Sequence, residues 1–232
     1  MSLALDGGDF AVLTVHHLNN SRSQRVLWLL EELGVEYDIV RYQRQPDMRA
    51  PAELRAIHPL GKSPVITDGG KTIAESGAIA EYLVETYGNG RLIPPSNTPE
   101  RLRYTYWLHY AEGSAMPPLL LKLLFTLIPQ RAPVLMRPLM RGISNQVLTT
   151  LVNPQLKLHM GFWESELSKS EWFAGDAMTA ADIQMSFPLE AAAARGGLKQ
   201  GHPKAMAFVE RIHARPAYQR ALEKGGPYAV GR

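Results

Sequence analysis

The chain changes character once, at Arg91–Pro99 (RLIPPSNTP), and that change limits the fold more than any other feature of its 232 residues. Three prolines in nine residues, with no helical period, read as an ordered linker between two domains. Before it, short β-rich runs alternate with helical ones. After it, nearly everything is helical. The expected organisation is therefore an α/β domain over residues 11–90, a linker over 91–99 and an all-α domain over 100–225.

Within the first part, Ala11 to His16 (AVLTVH) reads as a strand. Ser23 to Leu33 places Val26, Leu29, Leu30 and Leu33 at i, i+3, i+4 and i+7, an amphipathic helix that stops at Gly34. Tyr37 to Tyr42 is a second strand, so these elements form a βαβ unit with parallel strands and a right-handed crossover. A polar arm, Gln43 to Pro51, and a short helix, Ala52 to Ile57, follow. Val65–Thr67 and Thr72–Ala74 flank Asp68, Gly69 and Gly70 as a hairpin, and a helix with Ile79, Leu83 and Tyr87 on one face starts near Ser76. The order βαβ, hairpin, helix is the layout of a thioredoxin-like domain.

In the second part, Glu100 to Gly113 carries Leu102, Tyr106 and His109 on one face. Leu119 to Ile128 is strongly apolar but contains Lys122 and is fenced by Pro117, Pro118 and Pro129. That is about 10 residues where a membrane span needs about 20, so a buried or interface helix is expected and no membrane span. Ile143 to Leu167 is a long helix with a break or kink at Pro154. Thr179–Ala191 and Pro203–His213 complete the set, the latter burying Met206, Val209, Ile212 and His213. Thr179 and Asp182, three residues apart, make a reciprocal capping box, a structural device.

Composition removes several kinds of chemistry. The chain has no cysteine, hence no disulfide, no Cys-bearing metal site and no cysteine nucleophile, and any sulfur chemistry must use a ligand's sulfur. A net charge of +3 without a basic block gives no nucleic-acid footprint. Met1 to Phe10 (MSLALDGGDF) lacks the basic start and apolar run of a secretory signal, so a cytoplasmic location is expected.

Three segments of the first part could carry chemistry. In Ile57–Ile66 (IHPLGKSPVI), Pro64 directly precedes a strand; a trans bond would make it an ordinary strand start. A cis bond would turn the Ser63 backbone outward to pair with a peptide ligand. In Ala74–Ile79 (AESGAI), Ser76 fits an N-cap, and the helix it opens offers free N–H groups to a carboxylate while Glu75 could accept from an ammonium. In Leu18–Arg25 (LNNSRSQR), Asn20, Ser21 and Ser23 stand at another helix N-terminus. They serve either as caps or as donors to an anion such as a thiolate, whose pKa a hydroxyl would lower.

Competing signatures fail. Gly61-Lys62-Ser63 mimics the end of a phosphate-binding loop, but position 56 is Ala where the first Gly is needed. Ser76 and Ser114 lack the flanking glycines of a nucleophile elbow. His16 and His17 are adjacent and face opposite sides of a strand, and the other histidines form no ligand spacing, so no metal is expected.

Taken together, the Ser/Asn-rich turn, the H-P-L-G-K-S-P-V-I stretch, the E-S-G-A-I pair and the helical second part closely resemble the cytosolic glutathione transferases, from about Leu13 to about Leu222. Ser21-Arg22 and the R-A-P-x-E-L pattern at Arg49 to Leu54 are similar to the fungal and bacterial serine-type branch, and Gly175–Pro188 is similar to the family's buried capping motif. The resemblance implies that glutathione is the co-substrate. Ser63 would pair its backbone with the cysteinyl unit, a cis Pro64 would fix that geometry, and Glu75 and Ser76 would bind the γ-glutamyl end. Lys62, Arg22, Gln43 and Arg44 would reach other parts of the tripeptide, the glycyl carboxylate above all. With no Tyr before Tyr37 and no Cys, the tyrosine- and cysteine-type variants of the family do not apply. The alignment leaves Asn20 or Ser21 beside the thiol, and Ser21 supplies the hydroxyl that a serine-type mechanism uses. A hydrophobic co-substrate would lie between the domains, against Tyr106, His109, Tyr110, Met116 and Leu120. The implied protein is a homodimeric transferase adding glutathione to electrophiles; a glutathione-dependent peroxidase or disulfide reductase, or a non-catalytic glutathione-binding regulator, would share the fold.

Overall fold

The computed structural model describes residues 12–45, 47 and 49–230. The segment Met1 to Phe10, read above as lacking a secretory signal, lies outside them. Four strands form one sheet in the order β2-β1-β3-β4, with β1 Thr14–Leu18, β2 Asp38–Tyr42, β3 Val65–Asp68 and β4 Lys71–Ala74. β1 runs parallel to β2 and antiparallel to β3, and β3 pairs with β4 through the Gly69-Gly70 turn. With α1 (Ser23–Leu33), α2 (Glu53–Ile57) and α3 (Ser76–Tyr87), this is the thioredoxin-like domain, followed by a helical one. α1 ends where expected, because Gly34 takes the left-handed φ of 65° and its N–H closes on the Leu30 carbonyl.

β1 sits later than the apolar run Ala11–His16 suggests. Its pairing with β2 continues through His17↔Arg41 and Leu18↔Tyr42, because both buried histidines find polar partners and so extend the strand. His16 bonds Tyr42 and Thr67 on one side, and His17 bonds Ser23 on the other.

The helical part begins with α4 (Pro99–Tyr110), N-capped by Thr98, whose hydroxyl accepts from the Arg101 N–H at 3.2 Å. The expected stripe of Leu102, Tyr106 and His109 is the outward face. The core face is Tyr104, Trp107, Leu108 and Ala111, since the tryptophan and its neighbours bury more apolar area than the interrupted stripe. Prolines 117, 118 and 129 do not fence the next segment. α4 passes through a π-helical turn, Ala111–Ala115, into α5 (Met116–Arg131), where Pro117 and Pro118 occupy the first turn, the position at which a missing N–H matters least. The continuous run Pro99–Arg131 is thus long and apolar enough to cross a membrane by length and composition. Leu119 is buried, whereas Leu120, Leu124 and Ile128 are each more than two-fifths exposed.

The helix expected from Ile143 starts earlier and is divided. α6 (Arg137–Val147) leads through a π-helical turn, Leu148–Val152, into α7 (Asn153–Leu167), so Pro154 begins a new helix rather than kinking an old one. α8 (Ala180–Ala191) carries the expected box. The Asp182 carboxylate accepts from the Thr179 N–H at 2.8 Å, from its hydroxyl at 3.0 Å and from the Phe173 N–H at 2.8 Å. α9 (Pro203–His213) buries Ala205, Phe208, Val209 and Ile212, with Met206 and His213 at the margin. A further helix, α10 (Pro216–Gly225), does not stand out in the sequence because its buried residues include Ala217, Ala221 and a single aromatic, Tyr218. It packs back on α1: Tyr218 meets Trp28 edge-on at 5.3 Å, and Arg215 forks onto Glu32 at 2.5 and 2.8 Å.

Candidate functional site: a cleft at the ends of β1, β3 and β4

Two adjoining cavities of about 330 and 360 Å³ share Arg22, Leu60, Lys62 and Ser63. Volumes of this order suit a small peptide-like ligand. At the turn after β1, Arg22 lines both cavities and Leu18 the first, while Asn20 and Ser21 line neither. Asn20 adopts φ 50°, a conformation that short polar side chains tolerate, and its carboxamide oxygen accepts from the Ala229 N–H of the C-terminal segment at 2.7 Å. Ser21, 4% exposed, lies deeper. Its Oγ is 2.8 Å from Ser23 Oγ and 3.3 Å from Ser63 Oγ, and it accepts from the Ser23 N–H at 3.2 Å. Of the two candidates beside the thiol, Ser21 is thus the one whose side chain meets Ser63, while Asn20 turns toward the chain's end.

The Ser63–Pro64 bond is cis. Among the described residues, no hydrogen bond engages the Ser63 N–H or carbonyl, so both are available to a ligand. Ser63 Oγ donates to the His16 carbonyl at 3.2 Å, which ties the segment before β3 to β1.

At the end of β4, Glu75 takes φ 69°, ψ 120°, and caps α3 without a side-chain bond. The expected cap, Ser76, is instead the first helical residue, because Glu75 supplies the turn and the Ser76 hydroxyl is drawn inward. It accepts from Arg25 Nη2 at 3.2 Å and Gln184 Nε2 at 3.3 Å. The α3 N-terminus then faces the second cavity with the unpaired amides of its first turn. Arg25 is buried and also reaches the Gln184 carbonyl at 2.7 Å and Glu112 at 2.6 Å. Burial pushes its pKa down, and the Glu112 carboxylate opposes that shift. For Glu112, burial alone would raise the pKa, but Arg25 and Arg22 outweigh it and hold the carboxyl below its ordinary range.

Sequence reasoning missed Glu112, which the π-helical turn after α4 brings to the cavity wall, and Arg25, hidden inside an apolar helix pattern. Five cations converge on the first cavity: Arg22, Arg44 and Lys62, named from the sequence, and Arg49 and Arg55, which were not named as site residues. The spacing of Arg49 and Arg55 around the short helix α2 is a signal that could have found them. Gly61 makes room for one of them: at φ 55°, a Cβ there would fall 2.6 Å from Arg55 Cγ. Gln43 is exposed and lines neither cavity; Arg44 bonds the Asn19 carboxamide oxygen and the Asn20 carbonyl.

The five apolar-site candidates do not share a face. Tyr106 is half exposed and stacks on Tyr110 at 5.5 Å, His109 is exposed, Met116 is buried, and Leu120 is 49% exposed. Tyr110 is buried between His159, which its hydroxyl bonds, and Trp163, whose Nε1 donates to it at 3.1 Å. None of the five lines the two cavities. Among the described residues, no group of three or more His, Asp or Glu could hold a metal ion.

A thioredoxin-like domain with a free backbone before β3 and a helix N-terminus on one cleft, a buried hydroxyl behind Ser63, and a helical domain joined to it define a class of two-domain proteins with a cleft suited to a small peptide. The chain belongs to the glutathione S-transferase family. The model of the glutathione S-transferase N-terminal domain matches residues 11–85, and that of the C-terminal domain matches residues 127–216. Among curated relatives, glutathione S-transferase 3 of Schizosaccharomyces pombe is 35% identical, covering 92% of this chain and 88% of its own. Glutathione S-transferase 1 of Saccharomyces cerevisiae is 32% identical, covering 92% and 95%. Among solved structures, a glutathione S-transferase from Actinobacillus pleuropneumoniae is 31% identical with a TM-score of 0.76, covering 95% of this chain and 96% of its own.

Proposed function

We propose that the protein binds glutathione in this cleft as the thiolate and transfers it to electrophilic, hydrophobic substrates. The observation that carries the reading is the placement of the buried Ser21 hydroxyl 3.3 Å from Ser63, whose backbone amide and carbonyl are free. The cysteinyl unit pairs with Ser63 next to Pro64, which leaves its sulfur facing Ser21. The γ-glutamyl carboxylate takes the first amides of α3 and the Ser76 hydroxyl, and its ammonium takes Glu75. Lys62, Arg22 and Arg44, joined by Arg49 and Arg55, supply cations for the glycyl carboxylate, with Gln43 on the arm above them. Asn20 shapes the turn. The thiol proton leaves to solvent, Ser21 donates to the resulting anion, and the sulfur lone pair forms the new C–S bond as the leaving group departs with its pair.

Residues 11–90 act as the glutathione-binding domain, 91–99 as linker and 100–225 as the domain shaping the second site, where the exposed Tyr106, backed by Tyr110, meets the co-substrate. The working form is a cytoplasmic homodimer with a role in detoxification, and no metal takes part. The test is glutathione affinity by calorimetry, followed by turnover with an activated aryl halide, an organic hydroperoxide and a mixed disulfide. Micromolar to millimolar binding with aryl-halide conjugation is expected. No binding overturns the proposal, peroxide or disulfide turnover alone makes the protein a peroxidase or reductase, and binding without turnover makes it a regulator.

A further inference from the structure

A second imidazole stands behind the site. His16 and His17 leave β1 on opposite sides, as neighbours on a strand must. His17 is 3% exposed, and its Nδ1 lies 2.9 Å from Ser23 Oγ, itself fully buried. Ser23 Oγ lies 2.8 Å from Ser21 Oγ, and Ser21 Oγ lies 3.3 Å from Ser63 Oγ at the cleft. An unbroken line of side-chain contacts thus leads from a buried ring to the candidate thiol donor. We propose that His17 is a positioning residue for the thiol site, fixing the Ser21 hydroxyl through Ser23 without touching the sulfur. The inference rests on the reading of Ser21 as the thiolate's donor.

With Nδ1 as the acceptor nitrogen of a neutral ring, Ser23 Oγ donates to it at 2.9 Å. Ser23 has a single hydroxyl proton and two acceptors for it, His17 Nδ1 at 2.9 Å and the Leu18 carbonyl at 3.3 Å, both pointing away from Ser21. Ser23 therefore offers Ser21 a lone pair only. The Ser21 hydroxyl proton then has Ser23 Oγ at 2.8 Å and Ser63 Oγ at 3.3 Å as acceptors, and rotation about its Cβ–Oγ bond turns that proton to a sulfur while the oxygen stays anchored by the Ser23 N–H at 3.2 Å. Removing the His17 acceptor releases the Ser23 hydroxyl to rotate and loosens the support of Ser21.

Burial lowers the His17 pKa to about 4; the backbone of Gly225, at the end of α10, works against that shift, and the Arg41 charge on β2 acts with it. The ring is therefore neutral at neutral pH. It serves as a fixed acceptor and not as the base that takes the thiol proton. Glycine at 225 allows the approach: a Cβ there would fall 2.5 Å from Gln24 Oε1 and 2.9 Å from Leu27 Cδ1, holding the end of α10 away from α1.

The experiment is an ultraviolet titration of the thiolate of bound glutathione in the full chain, comparing wild type, His17→Phe, Ser21→Ala, the double variant and His17→Asn. His17→Phe is expected to raise the bound thiol pKa by about half a unit to one unit, about a three- to tenfold drop in the thiolate-to-thiol ratio. It should lower kcat and weaken glutathione binding by no more than the same factor, with the affinity for S-methylglutathione, which has no thiol, unchanged. It should add nothing in the Ser21→Ala background, because its effect passes through that hydroxyl. His17→Asn, which keeps an acceptor near Nδ1, should recover most of the shift. A wild-type thiol pKa in His17→Phe, with a raised one in Ser21→Ala, overturns the proposal but not the Ser21 assignment; so does a full additive effect in the double variant. An unshifted pKa in Ser21→Ala removes that assignment and this inference with it. If His17→Phe does not fold, Ser23→Ala breaks the same line and the same expectations apply to it.

Discussion

Arg25, buried on α1, places a guanidinium nitrogen 2.6 Å from a carboxylate oxygen of Glu112, across the boundary between the sheet and the helices. The same guanidinium holds the Ser76 hydroxyl and the Gln184 carbonyl, so one cation joins the thioredoxin-like domain to two helical elements.

Glu112→Gln leaves the buried Arg25 charge without its counter-ion. A loss of ~3 kcal/mol in unfolding free energy is expected, the low end for breaking a buried pair because Glu112 is partly exposed. Denaturant unfolding checks it, and the glutathione KM should rise in parallel as Ser76 loses its fixed partner. Arg25 and Arg22 hold the Glu112 carboxyl low, so this contribution is present above the ordinary carboxylate range and is lost as pH falls through the lowered pKa.

Asp182 has the opposite sign. Burial, working against three donors, pushes its pKa up to about 6. The folded chain therefore binds a proton more readily than the unfolded chain, whose aspartates titrate near ~4. The contribution of this group to stability falls as pH rises through that window and is level above it. Asp182→Asn has no such titration, so the stability difference between wild type and variant should shrink between pH ~4 and ~6 and stay constant beyond. A difference that is flat throughout contradicts the assignment.

Glu75 holds a left-handed φ of 69° at the cleft. Glycine adopts that conformation freely, so Glu75→Gly should stabilise the fold by ~1 kcal/mol, raising Tm by about 2–4 °C. Glutathione binding should weaken several-fold as the acceptor for the ammonium is lost. Glu75→Ala keeps the strain and should show the weaker binding without the gain in Tm. Thermal melts and calorimetry on the two variants separate strain from binding.

Much of this was legible in the sequence because it depends on local rules. The helix stop at Gly34, the hairpin at Gly69-Gly70 and the Thr179–Asp182 box each follow from residue type and spacing within a few positions. Ser63, Glu75 and Ser76 stand out in the sequence because each lies at an element's end. What was not legible depends on partners far along the chain. Ser76 reads as a cap until Arg25 and Gln184 draw its hydroxyl inward; Glu112 reads as a surface acid until a π-helical turn swings it to the cavity. α10 has too few large apolar residues to announce itself, and its place is set by Trp28 and the carboxylates of α1. The face of α4 that carries Leu102, Tyr106 and His109 turns outward because Trp107 settles which side is buried.

The central claim is that glutathione binds here as a thiolate under the Ser21 hydroxyl. The most direct measurement is the dissociation constant of glutathione against pH from 6 to 9, set beside S-methylglutathione, which has no thiol to ionise. Binding of the thiolate releases a proton below the free thiol pKa, about 8.5 for an unperturbed cysteine side chain, so affinity for glutathione should rise as pH rises toward that value. Affinity for the S-methyl analogue should not follow, and in Ser21→Ala the two profiles should run parallel. Parallel profiles in the wild type would contradict the account.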